Sequence, residues 1–262
     1  MSEYVVPKKA STVVIMRPAV NGTDSPFEVL MVERHSSSVF VPDCYVFPGG
    51  VIDAEDCSDE SASFCRGLDR QKAFKILGDM PTEAMALGAW VAAARETYEE
   101  AGILFSADSP DPDILAGHRR QLLDGKAGFT DILKKEKWTL AMNRLLYFAH
   151  WTTPELSPHR YDVRFFVTFA PEDQEATHDG IELTGNTWIT PRRALAEYEC
   201  DRFKMVLPTI MTLRDLDRFD SIEAVMAATA AKTVPSILTT IEERDGRLCE
   251  VMPDGKNFSP CL

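Results

Sequence analysis

The sequence predicts an α/β fold, a mixed β-sheet between helices. Short runs rich in β-branched and aromatic residues alternate along the chain with longer segments of helical periodicity. No internal repeat or low-complexity tract interrupts them. The 262 residues suffice to bury one substantial core. The economical reading is a single domain over 1–262, with a helical insertion at 54–80 and a C-terminal extension at 220–262.

The elements follow in chain order. Thr12–Met16 and Glu28–Arg34 read as strands, joined into a hairpin by a stretch containing Asn21, Gly22, Asp24, Ser25 and Pro26. In YVFPGGVID, Tyr45 to Asp53, a short aromatic strand ends at Pro48 and two glycines that permit a turn with exposed backbone. Residues 54–80 begin acidic and then carry apolar residues at Phe64, Leu68, Phe74 and Leu77, so they read as helical. A second helix runs from Pro81 to about Ala101, with Gly102 just past its end and a buried stripe of Leu87, Val91, Ala94, Tyr98 and Ala101. Asp111–Trp138 reads as helical, Leu145–Trp151 and Val163–Ala170 as strands, and Thr187–Ile189 as a short strand before the helix TPRRALAEY. Helices near 207–218 and 221–232 and a hairpin at RDGRLCEV complete the chain.

Charge narrows the function. With 28 Lys and Arg against 41 Asp and Glu, the net charge is -13 and no basic run is present, which disfavours nonspecific capture of nucleic acid or an anionic membrane. A phosphate-handling chain of this composition needs a cation. The six cysteines form no CxxC, the N-terminus lacks the apolar core of a signal peptide, and no apolar run approaches the ~20 residues of a membrane helix. The expectation is a soluble cytoplasmic protein with reduced thiols.

The segment RETYEEAGI, Arg95 to Ile103, raises the chemical question. On a helix, Glu96, Glu99 and Glu100 fall at i, i+3 and i+4 and share a face, where like charges repel. A hard divalent cation would turn that repulsion into binding, and Arg95 can pair with Glu99 four residues on. A solvated acidic turn is the alternative on these residues alone.

FPGG followed by RExxEExG resembles the signature of the Nudix hydrolase family: a glycine, five residues, a glutamate, seven residues, then REuxEExGu with u apolar. Gly50 matches the opening glycine, and Arg95, Glu96, Glu99, Glu100, Gly102 and Ile103 match the second half. Gly50 and Arg95 stand 45 residues apart in place of fourteen, so inserted chain splits the motif. Leu87 stands where the first glutamate is expected, with Glu83 or Asp53 as substitutes, and Thr97 replaces an apolar residue. The split box, together with Trp151, Thr153 and Pro154, then Arg160, Asp162, Phe165 and Phe166, then Trp188 and Pro191, resembles the long-insert branch that includes coenzyme A diphosphatases.

The resemblance implies a Nudix-type α/β/α sandwich and metal-dependent hydrolysis of a diphosphate bond in a nucleoside-diphosphate-linked metabolite, with coenzyme A or acyl-coenzyme A suggested by the branch. It implies Mg²⁺ or Mn²⁺ on Glu96, Glu99, Glu100 and the Gly50 carbonyl, with Glu99 and Glu100 catalytic. Glu182, with Asp179 behind it, is the expected further ligand or base, and Arg34, Arg160 and Arg164 are candidates for the phosphates. The expected partner is a small-molecule diphosphate, with a homodimer left open. The insertion is expected to pack over the domain edge or a partner subunit and to shape the pocket for the nonphosphate part of the substrate. A noncatalytic Nudix-like nucleotide-metabolite sensor is the alternative function.

Overall fold

The computed structural model describes residues 5–19, 25–38 and 41–261. Strands β1 (Lys8–Pro18), β2 (Phe27–Arg34), β3 (Tyr45–Val46) and β4 (Gly49–Val51) come first. Helix α1 (Asp59–Ser63), the short β5 (Cys65–Arg66) and α2 (Arg70–Leu77) occupy the insertion, and α3 (Glu83–Ala101) follows. Next come α4 (Pro112–Leu123), α5 (Phe129–Glu136), β6 (Leu140–Ala141), β7 (Leu146–Thr152), β8 (Tyr161–Phe169) and β9 (Leu183–Ile189). Helices α6 (Pro191–Glu199), α7 (Leu207–Leu216) and α8 (Ile222–Ala231) lead to β10 (Ser236–Leu238), β11 (Thr240–Arg244), β12 (Arg247–Val251) and β13 (Phe258–Pro260).

The central sheet runs β10-β7-β8-β1-β2-β3, with β4 also on β1 and β9 on β2. β1 is parallel to β8 and antiparallel to β2, so the sheet is mixed. Successive side chains of β1 alternate between its faces. Val13 and Ile15 join Leu30, Phe166 and Trp90 in a core under α3, α4 and α5. Val14 and Met16 join Val29, Met31 and Phe165 under α7 and α8. Burial on both faces explains why β1 and β2 read as continuous apolar runs, and the result is the expected α/β/α sandwich.

Helix α3 starts two residues later than Pro81, where the Thr82 hydroxyl accepts from the Met85 N–H at 3.1 Å, and it stops at Gly102, whose φ of 72° is left-handed. The predicted stripe is buried, but so is nearly the whole circumference of its middle turns. Its Ala-rich sequence fits that position, since small side chains let neighbouring elements approach from several sides. The single helix expected over 111–138 is two, broken where Gly125 adopts a φ of 67°. β9 is longer than Thr187–Ile189, and β10 and β13 went unpredicted because three-residue strands carry too little periodicity to detect. Of the predicted hairpin turn, Asn21, Gly22 and Asp24 lie outside the described residues.

The insertion packs on the α3 side. Leu77 belongs to the core, and Phe64, Leu68 and Phe74 pack half-buried against it. The six cysteines are unpaired, and among the described residues no helix is long and apolar enough to cross a membrane. Because Leu77 is core and not decoration, Leu77→Ala should destabilise the fold by about 2–5 kcal/mol in urea unfolding.

Candidate active site

A cavity of about 470 Å³ lies where β1, the glycine turn and the last turns of α3 meet the ends of β7 and β8. The turn is held against β1: Ser11 pairs with Gly50 and Thr12 with Gly49. The Thr12 hydroxyl donates to the carbonyls of Phe47 at 3.1 Å and Pro48 at 2.7 Å, and the Val13 N–H donates to Pro48 at 2.9 Å. A Cβ at Gly50 would stand 2.3 Å from the Glu96 carboxylate, and one at Gly49 would stand 2.2 Å from the Ser11 carbonyl. Glycine at both positions lets the helix carboxylates reach the turn, where the Gly49 N–H donates to Glu100 at 2.8 Å.

Glu96, Glu99 and Glu100 all line the cavity. Burial, more than any neighbour, raises their pKa values: Glu96 to about 7, Glu99 above its usual range, and Glu100 well above it, with the Glu96 charge adding to the effect on Glu100. Glu100 is 6 % exposed. Such a set favours protonation unless a cation shares the space, and a hard oxygen-seeking divalent ion suits it.

Arg95 organises the set from behind. One guanidinium nitrogen donates to Glu96 at 2.9 Å and Glu99 at 3.1 Å, and another donates to the Val51 carbonyl at 3.0 Å. Asp56 takes the rest of the fork with both oxygens, each at 2.9 Å. Neither expected substitute for the missing first glutamate fills this place: Glu83 is exposed in the first turn of α3, and Asp53 reaches Arg95 only at 3.6 Å. Leu87 is core. Asp56 is the missed residue, and its signal was the second aspartate of IDAED, three residues after Asp53. Thr97, the other departure, is buried with its hydroxyl donating to the Ala93 carbonyl at 2.8 Å, so it fits an apolar position.

Arg119 of α4 was also missed. Its guanidinium donates to the carbonyls of Glu99 at 3.0 and 2.9 Å and Glu100 at 2.9 Å, capping the end of the helix that carries the carboxylates. No local pattern identifies an arginine that acts across two helices.

Arg34 and Glu182 line the cavity, and both act on Glu100, whose protonation Arg34 disfavours and Glu182 favours. Asp179 lies behind Glu182 as expected, its carboxylate accepting from the N–H groups of Ile181, Glu182 and Leu183 at 2.9, 3.2 and 3.0 Å. The two other arginines lie elsewhere. Arg160 is buried and donates to the backbone carbonyls of Thr153 and Val5. Arg164 is 0 % exposed, paired with Asp79 and Asp162 at 2.6 Å each. Val163 and Phe165 of β8 line the cavity, so the alternate residue Arg164 points to the sheet's other face.

Asp79, His150 and Asp162 bring ligand atoms within 4.8 Å of one another. Lys9 and Arg164 already neutralise these carboxylates, so this cluster offers a cation much less than the glutamates of α3 do. The insertion also departs from expectation, because none of residues 54–80 lines the cavity. Its apolar stripe is spent on the core, and Asp56 alone reaches the site, through Arg95. Val206, Pro208, Thr209 and Glu250 form the wall instead.

Residues 70–216 match the family model described as the NUDT19 Nudix domain, more than half of the chain. The chain is 26% identical over 241 residues to the acyl-coenzyme A diphosphatase NUDT19 of Xenopus laevis, covering 77% of this chain and 63% of that protein. It is 24% identical over 236 residues to the Homo sapiens protein of the same name, covering 75% and 62%. The chain thus spans a little under two thirds of these relatives' length. A Nudix hydrolase structure from Alicyclobacillus acidocaldarius superimposes with a TM-score of 0.70 at 27% identity, covering 85% of this chain and 96% of that one.

The Asp56–Arg95 pair carries its own test. Asp56→Ala removes two charge-assisted hydrogen bonds from a guanidinium that keeps Glu96 and Glu99 and should cost about 1.5–3 kcal/mol in denaturant unfolding, whereas Asp53→Ala, at an exposed carboxylate, should change stability by less than about 0.5 kcal/mol.

Proposed function

As the chain belongs to the Nudix family, we propose that it is a divalent-metal-dependent hydrolase cleaving the diphosphate bond of a nucleoside-diphosphate-linked metabolite, with coenzyme A or acyl-coenzyme A the first candidates. The observation that carries this is the convergence of Glu96, Glu99 and Glu100 on the Gly49–Gly50 turn inside one cavity. The names of the relatives support the substrate class. The sensor alternative drew on Leu87, and Asp56 removes that ground by pairing with Arg95 from elsewhere in the chain.

In this reading Glu96, Glu99, Glu100 and the Gly50 carbonyl would hold Mg²⁺ or Mn²⁺, which suits carboxylate donors that leave room for water and phosphate oxygens. When bound, the ion supplies charge neutralisation of the diphosphate and acidifies a water. The chain's own residues do the remainder. Arg34 pairs with a phosphate oxygen from the rim. Glu182, held by the Asp179 loop, takes the proton of the attacking water. The water oxygen bonds to phosphorus, the bridging P–O bond breaks, and its electron pair leaves with the departing phosphate. Unpaired thiols suit a reducing compartment, and we assign the protein to the cytoplasm.

Three results check this reading. Exhaustive chelation should abolish release of phosphomonoesters from coenzyme A, and Mg²⁺ or Mn²⁺ should restore it; turnover that survives chelation defeats the mechanism. Glu100→Gln should lower kcat by at least about 100-fold while leaving the melting temperature unchanged or raised, because the amide resembles the protonated acid that burial favours. Glu182→Gln should lower kcat and flatten the pH profile if Glu182 is the base.

A further inference from the structure

The cavity extends well beyond the carboxylates. Register runs across the sheet from Val51 to Ala10, Val163, Trp151 and Ile237. Trp151 therefore lies three strand spacings, about 14 Å, from the strand of the glycine turn. It lines the cavity, is 5 % exposed, and its indole N–H has no hydrogen-bond partner among the described residues. Buried indoles normally find one, as Trp90 does by donating to the Leu145 carbonyl at 3.0 Å.

Beside Trp151 the C-terminal extension brings in a carboxylate. β10 pairs with β7 at Trp151, and Thr239 follows directly. The Thr239 hydroxyl donates to one oxygen of Glu250 at 2.5 Å, and Glu250 lines the same cavity. Val163, Phe165 and Pro208 line the same cavity, and of its hydroxyls Thr153 bonds the Tyr161 backbone and Thr152 bonds Asp162.

We propose that Trp151 and Glu250 form a specificity subsite for an uncharged, amide-bearing arm of the substrate. The inference rests on the reading of this cavity as a diphosphate site and adds what occupies its far end. A donor left without a partner in a buried wall asks for an acceptor, and the carboxylate asks for a donor. One secondary amide in an alkyl chain offers both, its carbonyl to the indole N–H and its N–H to Glu250. A second phosphate or carboxylate would meet the Glu250 charge.

The test is calorimetric binding of ADP, ADP-ribose and dephospho-coenzyme A, which share one nucleoside diphosphate and differ in the arm. Ca²⁺ serves as the metal, and the ligands are checked for integrity after each titration. The wild-type chain should bind dephospho-coenzyme A at least about 10-fold more tightly than ADP. Trp151→Phe and Glu250→Ala should each narrow that gap to about threefold or less, with the Kd of ADP unchanged. Should Glu250→Ala fail to fold, Trp151→Phe decides, because the N–H it removes has no partner among the described residues. The proposal is overturned if the wild type shows no preference over ADP, if the variants keep the full preference or weaken all three ligands equally, or if ADP-ribose is the ligand they affect. A wild-type chain that shows the preference and its loss in the variants, yet cleaves no diphosphate with Mn²⁺, defeats the hydrolase reading and leaves the subsite standing.

Discussion

A buried guanidinium holds the acidic end of α3 to the glycine turn. Arg95 binds Asp56, the Val51 carbonyl, Glu96 and Glu99 at once. Without it the carboxylates would repel one another and the turn would lose its tie to the helix. Asp56 shares the same guanidinium, so one positive charge is divided among Asp56, Glu96 and Glu99. Arg119 caps the same helix end through its carbonyls. Two arginines thus fix backbone and side chains, and the carboxylates are left facing the cavity short of positive charge. That deficit is the physical ground for expecting a divalent ion there.

The two long additions to the chain divide their labour. The insertion, which leaves from the turn itself, is structural: its apolar residues complete the α3-side core and its Asp56 anchors Arg95. The C-terminal extension, far away in sequence, supplies cavity wall through Glu250 after adding β10 to the sheet beside Trp151. Proximity in sequence to the site therefore misleads about which addition lines the cavity. An amphipathic stripe must cover apolar surface, and the nearest such surface to the insertion is the flank of α3 and not the cleft.

Much of the candidate site was legible because it is local. The spacing of Glu96, Glu99 and Glu100 on a helix fixes their common face whatever the rest of the chain does, and consecutive glycines mark a turn open to close approach. The alternation of strands and helices likewise announced an α/β sandwich, and the apolar continuity of β1 and β2 announced burial on both faces. These signals act over one turn of helix or one short strand, and sequence carries them whole.

The remainder depended on pairings between distant segments. Asp56 and Arg95 are 39 residues apart and meet because the insertion folds back along α3. Arg34, Arg160 and Arg164 all adjoin strands, and sequence alone cannot tell which of them faces the cleft. Strand register decides that, since a shift of one residue exchanges the two faces of a strand. Arg34 lines the cavity, while Arg164 is buried against Asp79 and Asp162 on the other side. By itself the sequence determined the sandwich, the acidic helix face and the glycine turn, because each follows from residue type at fixed local spacing. Only the tertiary structure decided what stands behind Arg95, which arginine lines the cleft and which segment walls it, because those answers depend on long-range packing and register that no local pattern encodes.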